Sequence, residues 1–343
     1  MKHPAALRLN HKDERQRRRA VRKLFEINDS DNLESFTPLL EDGDPWFREK
    51  AMQAAVKWLG RDDIKVVEKL SNSTYNEQRV LASKLANRIN EGRDSILEYL
   101  CQDEDISVRL SGWESRLSVG GNEVIDIITS GMDSEHKAIR KSAVVRLSKM
   151  ENINESLVIN ALEDTAYSVR NAGLIIIRDN IEMNEHRVFD EYLINIVRDS
   201  TNIGRNIAVS ILVKTSWESV NIREMILKWS EEEDIEFINS FVKALKEIAW
   251  WKIPNFGNHI KNKSSDLFLT RILRKDQTDL ASSIRNQIIQ ESRRGEVVVA
   301  RIIEDLIGRN IDQDTLESIK KVSESDNKLL STISKQLLKD LQD

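Results

Sequence analysis

The chain has 343 residues, of which 40% are hydrophobic, 32% are charged and only four are proline, with a net charge of −5. This composition favours amphipathic helices over β-sheets, which are richer in β-branched residues and turn glycines. The single cysteine, Cys101, excludes an intramolecular disulfide and a cysteine-pair metal site, and it is typical of a reducing compartment. Apolar runs end far short of the about 20 residues that a membrane-spanning helix needs, so we expect a cytoplasmic protein.

Residues 1–23 differ from the rest of the chain in charge. They carry nine lysines and arginines against Asp13 and Glu14, a net charge of +7, so the remaining residues carry about −12. A basic segment on an acidic chain attracts phosphates or acidic partners, although a solvated first helix explains the same pattern. We expect these residues to form a basic N-terminal cap or first helix.

An arginine followed three residues later by alanine or glycine recurs through the first two-thirds of the chain. Each period contains two segments with helical apolar spacing around a short polar break, which predicts a helical hairpin. A unit of this size cannot bury its apolar stripe alone, so neighbouring hairpins must stack. The pairs are Arg17/Ala20, Arg48/Ala51, Arg79/Ala82, Arg109/Gly112, Arg140/Ala143, Arg170/Gly173 and Arg205/Ala208.

In four of the repeats an aspartate stands six residues before the arginine. The aspartate lies near the end of the first helix and the arginine begins the second, so a charge-assisted hydrogen bond between them, within or between repeats, would fix the turn. We therefore expect Arg48, Arg109, Arg140 and Arg170 to be largely buried and to have a structural role. The full structural set is Asp42, Arg48, Arg79, Asp103, Arg109, Arg140, Asp164, Arg170, Asp199 and Arg205.

The segments "LLEDGDPWFREKAMQAAVKWL", "YLCQDEDISVRLSGWESRLS" and "ALEDTAYSVRNAGLIII" resemble HEAT repeats, in particular a short class with the pattern D-x(5)-R-x-x-[AG]. The resemblance covers about residues 10–215 and implies an all-α, right-handed α-solenoid. Beyond residue 215 the apolar spacing of the repeat continues without the arginine. It can be followed from Ile238, near Leu269, and from Val299 and Leu330. We predict ten to eleven repeats, regular over 24–215 and degenerate over 216–343.

The catalytic and metal-binding residues of enzymes that resemble HEAT-repeat proteins cannot be assigned to this chain. HEAT-like proteins that resemble deoxyhypusine hydroxylase bind iron through His-Glu dipeptides, and this chain has only the reverse order, at Glu135-His136 and Glu185-His186. Its histidines form no i,i+4 pair, and no phosphate loop, nucleophile elbow or catalytic cysteine pattern occurs. The glycosylase class of HEAT-like proteins uses aromatic and acidic residues, but its motif cannot be matched here. We expect no catalytic residue, metal or cofactor.

Two sets of residues are candidate binding surfaces. The first lies nine residues after the repeat arginine, on the second helices, which line the concave face in this architecture: Lys57, Arg88, Lys149 and Lys214. The second is the segment 249–263, where Pro254 and Gly257 interrupt the helical pattern. Its candidates are Trp250, Trp251, Lys252, Phe256 and His259, because aromatics beside lysines stack on bases or hold a peptide.

Each set also has a structural explanation. The cations suit the C-terminal ends of helices, and the tryptophans could fill the core between repeats. The sequence therefore predicts a non-enzymatic scaffold that binds a protein partner or an acidic peptide on its concave face. A nucleic-acid-binding solenoid, with a glycosylase-like activity, is the alternative.

Overall fold

The computed structural model describes residues 3–119, 123–291 and 294–341, in which all regular structure is helical and no strand occurs. The chain divides into two compact units, Met1–Ala172 and Gly173–Asp343. The outermost two residues of the predicted N-terminal cap and of the predicted C-terminal segment lie outside the described ranges. The boundary between the units falls within one helix.

The first unit contains pairs of helices joined by short loops. Its first pair begins with a short 3-10 helix, Pro4–Asn10, and in its second pair the first helix is continued by a 3-10 turn, Thr37–Glu41. The helices are α1 (Glu14–Ile27), α2 (Leu33–Phe36), α3 (Pro45–Trp58), α4 (Ile64–Ser71), α5 (Asn76–Ala86), α6 (Arg93–Leu100), α7 (Ile106–Ser118), α8 (Val124–Met132), α9 (Lys137–Leu147), α10 (Glu155–Glu163) and α11 (Tyr167–Asp179), which crosses the boundary.

The second unit repeats the arrangement in five further pairs. Short 3-10 helices at Ile181–Asn184 and Trp250–Lys252 precede two of its first helices. The α-helices are α12 (Asp190–Arg198), α13 (Arg205–Ser216), α14 (Val220–Trp229), α15 (Ile235–Glu247), α16 (Phe256–Asn262), α17 (Asp266–Leu273), α18 (Asp279–Glu291), α19 (Glu296–Glu304), α20 (Gln313–Ser323) and α21 (Lys328–Asp340).

Within each unit the helices stack in two layers. In the first unit the second helices α3, α5, α7 and α9 contact one another in order, and in the second unit α13, α15, α17, α19 and α21 do the same. The first helices α14, α16, α18 and α20 form the other layer of the second unit. The predicted all-α fold of stacked helical hairpins, an α-solenoid, is thus confirmed. The assignment to the short HEAT-like class remains a prediction.

Small residues after the repeat arginine let the two layers approach each other. Ala51, Ala82 and Ala143 are buried. At Gly112, a Cβ atom would lie 3.0–3.2 Å from backbone atoms of Leu100 and Cys101 in the first helix of the same pair. Such a separation is tighter than most Cβ contacts, so a larger residue here would force the two helices slightly apart.

Short polar side chains shape the turn between the two helices of a repeat. The carboxylates of Asp103 and Asp164 accept hydrogen bonds from the amide two residues later, and the hydroxyls of Ser73 and Ser134 do the same in alternate repeats. These Asx and Ser turns stand in for backbone pairing where the chain reverses. The second helices α1, α3 and α7 then begin at capping aspartates, such as Asp44 before Pro45.

The repeat arginine ties this turn to the helix that follows it. In five consecutive repeats its Nη1 atom donates to the carbonyl oxygen six residues earlier. The distances are 2.8 Å from Arg48 to Asp42, 3.0 Å from Arg79 to Ser73, 2.6 Å from Arg109 to Asp103, 2.9 Å from Arg140 to Ser134 and 2.8 Å from Arg170 to Asp164.

The aspartate side chain, in contrast, pairs with the arginine of the preceding repeat. Arg79 binds the Asp103 carboxylate through both Nε and Nη2, at 2.7 and 2.9 Å, and Arg140 binds Asp164 in the same way at 2.6 and 2.9 Å. Arg17 pairs with Asp42. The ion pairs occur in alternate repeats because the intervening turns have serine instead of aspartate.

Four arginines are less buried than their role in the sequence pattern predicts. Arg79 is buried, but Arg48, Arg109, Arg140 and Arg170 are only partly buried. Their guanidinium groups reach the turn carbonyls at the edge of the core, where the loops meet solvent. Arg205 also departs from the pattern, because it donates to the carbonyl of Val197 and to Glu232.

Replacing Arg79 with alanine should lower the free energy of unfolding by about 3 kcal/mol, because the buried Asp103 carboxylate loses its bidentate partner. Arg93→Ala is the matched control, since Arg93 pairs with the exposed Asp94 and such pairs contribute at most about 1 kcal/mol. Urea unfolding followed by circular dichroism measures both. Equal effects of the two substitutions would contradict a structural role for Arg79.

The ion pair at Asp164 should make stability depend on acid. Hydrogen bonding from Arg140 lowers the pKa of Asp164 against the opposing effect of burial. A depressed folded-state pKa gives stability that is present above the unfolded value, about 3.9, and lost as pH falls through the folded value. Asp164→Asn should therefore be destabilised at pH 7, with a difference from the parent that shrinks towards pH 3. Asp326→Asn, at an exposed aspartate, is the control and should leave the free energy of unfolding at pH 7 close to that of the parent.

Candidate functional site

Two grooves open between neighbouring second helices of the first unit. We call the surface that holds them the second-helix face, formed by the exposed residues of α1, α3, α5, α7 and α9. Each helix turns one side into the core, such as the side of α3 with Ala51, Ala54 and Ala55. The opposite side is left free for residues that the repeat does not specify.

The α3–α5 groove is largely apolar and has a volume of about 390 Å³. Val56 is 44% exposed within it, and Met52, Val80 and Leu81 are partly exposed. Acidic side chains lie towards the beginnings of the two helices and lysine towards the end of α5. The lining residues are Glu49, Met52, Gln53, Val56, Glu77, Val80, Leu81 and Lys84.

The α7–α9 groove is larger, at about 520 Å³, and more basic. Three cations from α9 and the residues just after it line it, together with one carboxylate and the 40% exposed Val145. The lining residues are Glu114, Leu117, Ser118, Ala138, Lys141, Ser142, Val145, Arg146 and Lys149. Both grooves escaped the sequence analysis, because exposed apolar residues on a second helix look like core residues in a helical pattern.

The four cations of the predicted basic row differ in exposure and in pairing. Lys57, Arg88 and Lys149 are exposed in the first unit, and Lys149 lines the α7–α9 groove. Arg88 donates to the carbonyl oxygen of Val56 at 2.6 Å, which holds it at the end of the α3–α5 groove. Lys214 belongs to the second unit and is only partly exposed, because its ammonium group pairs with Glu247 of α15. The prediction of four exposed cations is therefore wrong at Lys214.

The basic N-terminal helix divides its arginines between two roles. Arg17 and Arg18 pair with Asp42 and Asp44 and lie over aromatic rings, so they hold α1 against α3. Arg15, Arg19 and Arg22 are exposed at helical spacing, and within the described residues none of them makes an ion pair. Three free guanidinium groups thus follow one side of α1.

The aromatic segment is mostly core. Trp250 is fully buried, its Nε1 atom donates to Asp276 at 2.8 Å, and its ring packs edge-on against the buried Phe256. From Phe256 onwards the chain is helical again as α16, so only the short stretch before it leaves the helical pattern. Trp250 and Phe256 are therefore wrong as surface binding residues, because both fill the gap left where the repeat packing is interrupted.

The other members of the segment lie apart. Trp251 is 45% exposed beside a cavity of about 620 Å³, and Lys252 is exposed. The cavity is lined by Lys246, Trp250, Trp251, Arg274, Lys275, Asp276 and Gln277. His259 does not line it, and its Nε2 atom lies 3.1 Å from a carboxylate oxygen of Glu231. Trp251 is thus partly exposed beside a cavity, but neither Phe256 nor His259 lines that cavity with it, and Phe256 packs against Trp250 instead.

Among the described residues, no group of three or more histidine, cysteine, aspartate or glutamate side chains is placed to hold a metal ion. None of the helices in the same ranges combines the length and the hydropathy needed to cross a bilayer.

Neither a protein-family model nor a curated protein matches the chain. Similar solved structures include an engineered protein, with 16% identity, a TM-score of 0.37 and coverage of 99% of this chain and 98% of that one. The E. coli protein YibA has 15% identity, a TM-score of 0.43 and coverage of 78% and 96%. Kap95p, solved with RanGDP, has 11% identity, a TM-score of 0.46 and coverage of 99% and 50%. These are weak likenesses of fold.

Trp251→Phe should reduce quenching of the intrinsic fluorescence by iodide, because Trp251 is the most exposed of the seven tryptophans. Trp250→Phe should leave the quenching unchanged and lower the free energy of unfolding by about 1–3 kcal/mol, since the Asp276 carboxylate loses its buried donor. A Stern–Volmer series with urea unfolding measures both effects. Equal loss of quenching in the two variants would contradict the assignment of Trp250 to the core.

Proposed function

We propose that the protein is a non-enzymatic, cytoplasmic binding module that holds an acidic, amphipathic segment of a protein partner on its second-helix face. The observation that carries this proposal is the α3–α5 groove. The exposed Val56 and the partly exposed Leu81 would bury apolar surface against a helix of the partner. Helix-in-groove recognition uses such anchors at helical spacing.

Charge favours an acidic partner. The residues that line the two grooves include four basic side chains, Lys84, Lys141, Arg146 and Lys149, and three carboxylates, Glu49, Glu77 and Glu114, and Arg88 lies at the end of the α3–α5 groove. The protein as a whole is acidic, with a net charge of −5. A basic face on an acidic protein steers acidic segments towards itself and repels them elsewhere.

The α3–α5 groove also has a direction. Glu49 and Glu77 lie near the beginnings of α3 and α5, whereas Lys57, Lys84 and Arg88 lie near or after their ends. An acidic segment would place its most acidic part at the lysine end and its apolar anchors between the two helices. Complementary charge at one end fixes orientation more than it adds affinity.

A second candidate function is nucleic-acid binding, and the free arginines of α1 favour it. Arg15, Arg19 and Arg22 could meet successive phosphates, and binding of that kind falls steeply with salt. The apolar groove argues for the protein segment, because phosphate backbones have no apolar anchors to fill it.

A labelled 18-residue peptide with leucines on one helical face and glutamates on the other is a direct probe. Val56→Asp should weaken its binding at least tenfold, about 1.4 kcal/mol, because the variant loses an apolar anchor and places a carboxylate against an acidic ligand. Val297→Asp, at an exposed valine of α19, is the matched control and should bind as the parent does. Fluorescence anisotropy gives both dissociation constants.

Two results would contradict this proposal. One is equal binding by the two valine variants. The other is that the peptide fails to bind while a single-stranded DNA oligonucleotide binds with a steep dependence on salt. In that case the variant with Arg15→Glu, Arg19→Glu and Arg22→Glu should no longer bind the DNA. That second outcome would establish the nucleic-acid function instead.

A further inference from the structure

The α7–α9 groove concentrates positive charge at one point. Lys141 and Arg146 of α9 and Lys149, two residues after its end, all line the groove. The hydroxyl-bearing Ser118 and Ser142 line it with them. Glu114 is the one carboxylate among the lining residues.

These cations are unpaired within the part of the chain that the structure describes. No ion pair or side-chain hydrogen bond involves Lys141, Arg146 or Lys149 there, although arginines elsewhere in the same unit pair with Asp42, Asp103 or Asp164. The Nε atom of Arg146 is buried and has no hydrogen-bond partner. The groove therefore presents three cationic side chains without an ion-pair partner among the described residues, and such a cluster attracts an anionic group.

We propose that the α7–α9 groove is a pocket for the phosphoryl group of a phosphorylated serine or threonine in the bound segment. The pocket rests on the proposed function, since it receives a side chain of the same segment that the α3–α5 groove anchors. Arg146 supplies a planar donor for two oxygens, the two lysines supply charge, and the serine hydroxyls supply further donors.

The shape of the pocket favours a single oxyanion over a phosphate backbone. Its cations converge on one groove beside the apolar Leu117 and Val145, whereas a nucleic-acid strand needs contacts repeated along its length. A phosphoryl group offers more oxygen acceptors and more charge than a carboxylate, so the phosphorylated form should bind more tightly.

The chain permits a test of this pocket that needs no partner. Cys101 is buried, and burial raises the pKa of its thiol to about 11 despite the opposing effect of Arg116, so the native protein has no reactive thiol near neutral pH. A thiol introduced by Ser142→Cys would report the potential inside the α7–α9 groove. Gln53→Cys places a matched thiol in the α3–α5 groove.

The measured quantity is the ratio of modification rates by a negatively charged and a positively charged methanethiosulfonate reagent. We expect this ratio to be at least tenfold higher for S142C than for Q53C at low salt, and to fall as salt screens the cations. Adding K141Q, R146Q and K149Q to S142C should bring the ratio down to that of Q53C. Where R146Q impairs folding, K141Q and K149Q alone should lower it. Equal ratios for the two thiols would overturn the pocket.

Protection of the S142C thiol distinguishes the two sources of the oxyanion. The probes are N-acetyl-phosphoserine amide and N-acetyl-glutamate amide, with inorganic phosphate as a reference. Protection by the phosphoserine probe at lower concentration than by the glutamate probe supports a phosphorylated segment, and equal protection by the two probes overturns it in favour of an unmodified acidic segment. Protection by neither overturns the proposal. A high modification ratio together with failed peptide binding would refute the proposed partner but not the anion pocket. Failure of the proposed function and failure of the pocket are therefore distinguishable.

Discussion

The hydrogen bond from a repeat arginine to the turn before its own helix is the contact on which the stacked hairpins depend. In four of the five repeats the guanidinium Nη1 atom donates to two carbonyl oxygens of the turn, and Arg79 and Arg140 also reach the aspartate of the next repeat. Arg79 makes both contacts at once, to the Ser73 carbonyl and to the Asp103 carboxylate. The same side chain therefore sets the angle within one repeat and the spacing to the next.

This arrangement explains why the second-helix face is free to vary. The arginine and the small residue after it occupy the side of the helix that faces the turn and the first helix, as the close approach at Gly112 shows. The opposite side makes no contact that the repeat needs. Val56 and Val145 can be exposed there, and Lys141 and Arg146 of α9 can be without an ion pair among the described residues, without weakening the stacking.

The segment around Trp250 shows how an interrupted repeat is repaired. The chain between α15 and α16 cannot supply a helical stripe of apolar residues, so an indole and a phenyl ring fill the space instead. Burying the indole requires an acceptor for its N–H group, and Asp276, from the loop before α18, provides one. Aromatic residues beside a proline are thus explained here by packing, while Trp251 alone remains at the surface.

Much of the fold could be predicted from the sequence, because an arginine and a small residue at a fixed period report a local geometry that every repeat must satisfy. That periodicity determined the helical pairs, their number and the continuation of the register from Ile238 to Leu330. Only the tertiary structure decided which carboxylate each arginine pairs with, that Lys214 is held by Glu247, and that Trp250 is buried. It also decided where α3 meets α5 and α7 meets α9 to form grooves. These features join residues from different repeats, and helical periodicity describes one helix at a time.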